Sequence, residues 1–332
     1  MAGWEEQIGV PSAKPKLNNL PRPDRSNGSP MDISDIVIDD DTVDRYRRNY
    51  GLGSEISAHH VRSHLRLEFE LTKRLLASTR DSRWKTFYQC YTTLYEELPW
   101  LNKTDDESDG VVAGDLLQWR SLLGSSARVF EVGSGKARLL KYLTSIGHSC
   151  VATEITPERG SKHLDQGDGL VWRTTDGINL AQFEETQSYD FIISTQVVEH
   201  LHPDDLIDHF KNARMILKPG GEYIFDTPHR GAGPFDLSLV FGLDHAVFMH
   251  LKEYTFLELR AALRAAGFRR IRAIFVTSRL GPRRSLLYLE YCMLWDRVLA
   301  ALRLRPRTER RVRWRARSKL RVPLNIWLSG EA

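Results

Sequence analysis

The chain has 332 residues, 41% of them hydrophobic, and a formal net charge of +4, enough apolar material for one large core or a core with an elaboration. No run reaches the roughly 18 uncharged apolar residues of a membrane span, and the amino terminus lacks the basic-then-apolar pattern of a secretory leader. Cys90, Cys150 and Cys292 are odd in number and far apart, which excludes a disulfide framework and a zinc cluster and leads us to expect a cytoplasmic protein.

The charge is unevenly spread. Between Arg303 and Arg321 stand nine arginines and Lys319 against Glu309, a local +9 that leaves the remainder at −5. Such a tract points to an anionic partner or to a solvated helix face.

Residues 1–41 are rich in proline and in turn signals such as Asn27-Gly28 and read as a disordered tail. The acidic run Asp39-Asp40-Asp41 favours a helix start at Thr42. From Glu55 to Trp100 apolar residues recur at three-to-four spacing (Val61, Leu65, Phe69; Phe87, Tyr91, Leu94), which predicts helices joined near 78–82. Residues 42–110 are thus expected to form a helical cap ahead of a polar boundary loop at 102–114. From 111 to 332 the rhythm alternates. Strands are expected at 127–132, 149–155, 170–173, 189–195, 221–227, 269–276 and 324–329, with helices at 116–123, 139–146, 204–217 and 254–266. That order predicts an α/β fold, a doubly wound and mainly parallel sheet of seven strands with an N-terminal helical extension. An apolar and then basic insertion, 282–322, precedes the last strand.

Chemistry is concentrated after the first strand. Glu131-Val132-Gly133-Ser134-Gly135-Lys136-Ala137 carries a strand into a glycine turn that opens a helix, letting backbone approach a bound cofactor. Glu154 ends the next strand, 19 positions beyond Gly135, where a carboxylate can grip ribose hydroxyls. Those two signals alone also suit a nicotinamide dehydrogenase. Two more follow: Ser194-Thr195-Gln196-Val197-Val198-Glu199-His200-Leu201, and Leu217-Lys218-Pro219-Gly220-Gly221.

With these four in order, the sequence resembles the class I S-adenosylmethionine-dependent methyltransferases. The nearest group is the bacterial small-molecule one, related to quinone-biosynthesis O-methyltransferases and glycan-modifying enzymes. Ala265-Ala266-Gly267-Phe268 resembles that family's late helix end, and Ala137 departs from its third glycine. The resemblance implies S-adenosylmethionine as cofactor. Glu131, Gly133, Ser134 and Gly135 would lie at its methionine end, Glu154 at the ribose, Asp176 and Gly177 at the adenine, and Thr195 and Gln196 where cofactor meets acceptor.

A hydroxyl acceptor needs a base, for which a histidine suits. His200, His229, His245 and His250 all follow strands four or five. His200, in the family-like Glu-His pair, and His229, in Thr227-Pro228-His229-Arg230, are the catalytic candidates. No metal is expected: Asp204-Asp205 reads as a helix first turn, and His60 and His64, four apart, lack a zinc signature around them. The expected activity is O-methylation of a glycan, glycolipid or related small-molecule hydroxyl. A quinone or phenolic acceptor, or RNA or protein recruited by the basic tract, is the alternative. The segment 286–321 is expected to meet an anionic membrane at its inner face, nucleic acid being the weaker reading for it.

Overall fold

In the computed structural model the described residues are 33–101, 113–160, 170–277 and 281–332. The expected disorder of residues 1–32 and most of the expected boundary loop lie outside them.

Order begins before residue 41, earlier than the tail reading placed it. A 3-10 turn covers Ile33–Asp35, and helix α1 spans Asp40–Tyr50. The Asp39 carboxylate accepts from the Thr42 amide at 2.9 Å, two further acids sit in the first turn, and Gly51 closes the helix at φ 63°. Each feature satisfies a helix end or its dipole. Helices α2 (Ala58–Ala77) and α3 (Arg83–Glu97) follow as expected. His60 caps α2 by accepting from the Ser57 amide, while His64 is buried between the Tyr46 hydroxyl and Glu68, both at 2.7 Å. The two imidazoles are therefore committed separately.

Helix α4 (Ala113–Leu123) leads into the alternating region: β1 (Arg128–Val132), α5 (Arg138–Ser145), β2 (Ser149–Glu154), β3 (Val171–Thr174), β4 (Tyr189–Thr195), α6 (Leu206–Ile216), β5 (Leu217–Pro228), α7 (Phe256–Ala265), β6 (Arg269–Thr277), β7 (Gly281–Ser285), α8 (Leu286–Ala301), α9 (Pro306–Leu320) and β8 (Asn325–Glu331). They form one sheet in the order β3-β2-β1-β4-β5-β8-β6-β7. The first five in that order are mutually parallel, and β8 runs antiparallel to both β5 and β6. The described sheet has eight strands where seven were expected. The addition, β7, is an edge strand paired only with β6. Its sequence Gly281-Pro282-Arg283-Arg284-Ser285 shows no apolar alternation, and an edge tolerates its proline.

Alternation along the strands sends neighbours to opposite faces. Phe130, Ile192, Tyr223 and Phe225 join α6, α7 and α8 in one core, and Val129, Ile193 and Ile224 join α4 and α5 in the other. The N-terminal helices belong to the same compact unit, 33–332. The buried pair Arg83–Asp205 at 2.6 Å ties α3 to the turn before α6. Asp205 is thereby spoken for, and Asp204 is exposed.

The inserted α8–α9 hairpin is anchored by a buried hub. One oxygen of Asp296 meets His229 Nε2 at 2.9 Å and Arg313 Nη2 at 2.8 Å, and the other accepts from the Phe256 amide at 2.9 Å. Burial alone would raise the Asp296 carboxyl, but the hydrogen bond from His229 and the Arg313 charge hold it below the ordinary aspartate value. A folded-state pKa below the unfolded one adds stability that is present above the unfolded value, near pH 4, and lost as pH falls through the folded one. We expect Asp296→Ala to destabilise the fold by about 1–3 kcal/mol, because it removes the acceptor shared by a buried imidazole, guanidinium and amide and leaves Glu309 as the remaining charged partner of Arg313. Urea melts at neutral pH and below pH 4 test both points: the difference from wild type should shrink as acid removes the carboxylate.

Candidate active site

One long cleft, about 1560 Å³ in volume, opens along the carboxyl edge of the sheet, the edge at which parallel α/β sheets bind ligands. Glu131, Gly133, Ser134, Gly135, Glu154, Asp176, Gly177, Thr195, Gln196 and His200 all line it. His229 does not. Its ring is fully buried, Nδ1 accepts from the Gly231 amide and Nε2 faces Asp296, so both nitrogens are engaged in the anchor of α8–α9. The reading of His229 as a catalytic base is corrected to a structural role, and His245 lies exposed outside the cleft.

The glycine turn is shaped by two left-handed residues, Gly133 at φ 70° and Gly135 at φ 53°. A Cβ on Gly133 would stand 2.5 Å from a Val197 methyl. Ala137, at the third-glycine position, is also left-handed at φ 54° and caps α5, a conformation that costs alanine roughly 1–2 kcal/mol. Gln196 repeats this at the end of β4, φ 54°, with its amide Nε2 bonded to Asp226 at 2.5 Å. Such strain gathers where a fold must present a side chain at a fixed angle.

Two carboxylates define this end of the cleft. Glu154 accepts from the Gly135 amide at 2.9 Å and from the Ile155 amide at 3.1 Å, clamping the turn to β2. Burial raises its pKa. Glu131 is buried and its Oε2 has no partner. Burial pushes its pKa to about 8, with the Ser134 hydrogen bond opposing and nearby Glu154 reinforcing the rise. A buried carboxyl oxygen without a partner beside a glycine turn suits a cationic or hydrogen-bond-donating group of a ligand. Asp176 forms a turn of its own: one oxygen accepts from the Ile178 and Asn179 amides at 2.8 Å each, and the other from the Asn179 side chain. It borders the cleft with its carboxylate spent on local backbone.

The middle of the cleft holds imidazoles. His200 donates Nδ1–H to the Met249 carbonyl at 2.9 Å and stacks edge-on against His250, centroids 4.8 Å apart. Burial, and then the neighbouring imidazole, drive its pKa down to about 3, so it is neutral at any physiological pH. His250 sits among Glu253, Glu199 and Asp236. Burial works against its charge, but the Glu253 hydrogen bond and the three carboxylates raise its pKa to about 9. Sequence reading named His250 among four histidines after strands four and five but took forward only His200 and His229, and it gave Glu199 no role beyond the Glu-His pair. The spacing of Glu253 three residues after His250 is the signal available for them.

The far end is built by the insertion. Trp314, Arg317 and Arg321 of the α9 region and Tyr288 of α8 line it. From the N-terminal helices come Tyr50, Glu68, Tyr91 and Tyr95.

Comparison with known proteins fits this geometry. A family model described as a methyltransferase domain matches residues 107–273. The chain belongs to that family. Three solved structures are similar to it. An S-adenosylmethionine-dependent methyltransferase from Mesorhizobium loti is 16% identical, TM-score 0.44, over 68% of this chain and 99% of that one. One from Archaeoglobus fulgidus is 15% identical, TM-score 0.45, over 73% and 99%. The 1,6-didemethyltoxoflavin-N1-methyltransferase of Burkholderia thailandensis is 14% identical, TM-score 0.46, over 76% and 90%. No curated protein matches the chain in sequence.

The glycine-turn end fits S-adenosylmethionine, the methyl donor of such enzymes. The orphaned Glu131 oxygen suits its ammonium group, and the Glu154 carboxylate, with lone pairs beyond those given to the two amides, suits ribose hydroxyls. We expect Glu154→Ala to weaken S-adenosylmethionine binding by about 1–3 kcal/mol. Gly133→Val should be worse, since it meets both a clash and a forbidden φ. Calorimetric titration checks both. Unchanged affinity in the two variants would place the cofactor elsewhere.

Proposed function

We propose that the protein transfers the methyl group of S-adenosylmethionine to a hydroxyl of a small-molecule acceptor, most simply a glycan or glycolipid. The observation that carries this is the continuity of the cleft. The glycine turn, His200, Trp314, Tyr288 and two guanidiniums all line it. The lining therefore combines aromatic faces with hydrogen-bond donors, which suits stacking and gripping a polyhydroxylated ring.

Bound at the near end, the cofactor supplies an electrophilic methyl group. The protein's task is then to set the acceptor oxygen in line with it. His200 can accept a hydrogen bond from the acceptor hydroxyl at Nε2, since Nδ1–H is committed to Met249. Its depressed pKa makes it a better orienter than proton store, because a base works best with a pKa near the working pH. Tyr91, edge-on to the His200 ring at 6.4 Å, closes this point from the N-terminal helices. The N-terminal helices α1 to α3 act in this reading as a cap over the acceptor position. We expect His200→Ala to reduce turnover on the order of 10²-fold while leaving calorimetric cofactor affinity unchanged. A full rate at pH 6–8 would remove His200 from the reaction. The acceptor class is tested by label transfer from methyl-labelled S-adenosylmethionine into fractionated extract. Label in glycan or lipid fractions fits, whereas label confined to RNA or protein overturns it.

A second reading concerns where the acceptor is met. Leu287 and Leu294 on α8 and Leu302 just after it are 83%, 54% and 58% exposed, and Arg311, Arg315 and Lys319 on α9 are exposed nearby in sequence. Exposed apolar and basic residues together favour contact with an anionic bilayer, each basic group close to the surface contributing roughly 1 kcal/mol. Arg313, counted in the basic tract, is 2% exposed and unavailable for this. Replacing Arg311, Arg315 and Lys319 by Gln should abolish salt-sensitive sedimentation with phosphatidylserine vesicles and leave cofactor binding intact. Equal sedimentation of variant and wild type would leave the tract a solvated face.

A further inference from the structure

Glu199, His200 and His250 each offer a ligand atom, and the three atoms lie within 4.8 Å of one another. We propose that they form a centre for a divalent transition-metal ion beside the acceptor position, an inference that rests on the methyltransferase reading and, with the ion bound, gives His200 Nε2 to the ion in place of the acceptor hydroxyl.

Three independent features support the assignment. The first is the orientation of the imidazoles. His200 spends Nδ1–H on the Met249 carbonyl and His250 spends Nδ1–H on the Glu253 carboxylate at 3.0 Å. Each ring is thereby fixed with its Nε2 lone pair directed elsewhere, and both residues line the cleft. Metal-binding histidines are held in this way, with the second nitrogen bonded to a carbonyl or carboxylate that fixes the tautomer.

The second is the state of Glu199. It is fully buried, its Oε2 accepts from the Thr227 hydroxyl at 2.8 Å, and its Oε1 has no partner. A buried carboxylate oxygen without a partner is costly, and a metal ion removes that cost. The third is the packing of the rings. The His200 and His250 imidazoles stand edge to face with centroids 4.8 Å apart, so two ligand groups already meet beside the Glu199 carboxylate.

Two imidazoles and one carboxylate suit zinc, iron, cobalt or manganese rather than calcium or magnesium. With metal–ligand bonds of about 2.0–2.2 Å, the three atoms are drawn together by about an ångström on binding. His200 and His250 both line the cleft, so an ion held there would be open to an acceptor. It would lower the pKa of an acceptor hydroxyl, which a neutral, hard-to-protonate His200 cannot do by itself. The hydroxyl proton passes to cleft water. The oxygen–methyl bond then forms as the sulfur–carbon bond breaks, with its electron pair going to sulfur.

The test uses the full chain, stripped with chelator and titrated with Co²⁺. We expect one Co²⁺ per chain, with visible absorption bands of a low-coordinate site, displaced by Zn²⁺. Glu199→Gln and His250→Ala should lose these bands. Glu253→Gln, which keeps all three ligands and alters only the partner of His250, should weaken binding roughly ten- to hundred-fold. Circular dichroism and S-adenosylmethionine titration show that each variant is folded. Absence of Co²⁺ binding to the wild type, or binding unchanged in all variants, overturns the centre. Methyl transfer at full rate after chelation also overturns it while leaving the methyltransferase reading standing. Metal binding with no transfer to any fraction supports the centre and overturns that reading alone.

Discussion

The carboxylate of Asp296 is the point on which the acceptor half of the molecule depends. It receives a backbone amide at the start of α7, an imidazole from the end of β5 and a guanidinium from α9. Three elements distant in sequence thus meet one buried charge. An isolated carboxylate there would be too costly to keep ionised, and Arg313 alone would be equally intolerable. Together they neutralise each other and set the azimuth of α9, so that Trp314, adjacent to Arg313, reaches the Ala232 carbonyl at 3.2 Å. The far wall of the cleft follows from that placement. An insertion docked by apolar contact alone could slide, whereas one docked on a three-donor carboxylate cannot.

The cofactor half rests on a smaller device, the clasp between Glu154 and the Gly135 amide. This clasp explains why a glycine turn and a carboxylate nineteen residues later form one unit. The turn leaves β1 and Glu154 ends β2, the strand beside it, so the acid can hold backbone with one hydrogen bond per oxygen and keep lone pairs for a ligand. Glu131, at the end of β1, keeps one carboxylate oxygen, Oε2, without a partner.

Much of this was legible in the sequence because local chemistry and fold agree there. The strand ends, the capping acids of α1 and the alternation of β4 and β5 are each dictated by residues within a few positions. The glycine turn, Glu154, Thr195 and Gln196 reach one cleft because all stand at carboxyl ends of parallel strands. What was not legible depends on distant partners. β7 has no apolar alternation and exists because β6 offers it an edge. His229 looked like an active-site residue by its place after β5, yet its chemistry was decided by Asp296, 67 positions away. His250 lies in a stretch without motif, and its significance comes from folding against Glu199.

The basic tract shows the same division within one helix. Read as a sum it was a +9 patch, and a sum cannot say which charges face outward. The fold separates them by helical position. Arg313 turns inward to Asp296 and Glu309, and Arg307 reaches Asp244. Arg317 and Arg321 border the cleft, while Arg311, Arg315 and Lys319 remain outside. Residues four apart share a helix face, so Arg313 and Arg317 lie on one side of α9, the first in the buried hub and the second at the cleft, with Arg321 beyond the helix end also at the cleft. One helix side thereby anchors the insertion at the hub and brings positive charge to the cleft, so the docking of α9 and the charge of the cleft lining are set by the same helical phase.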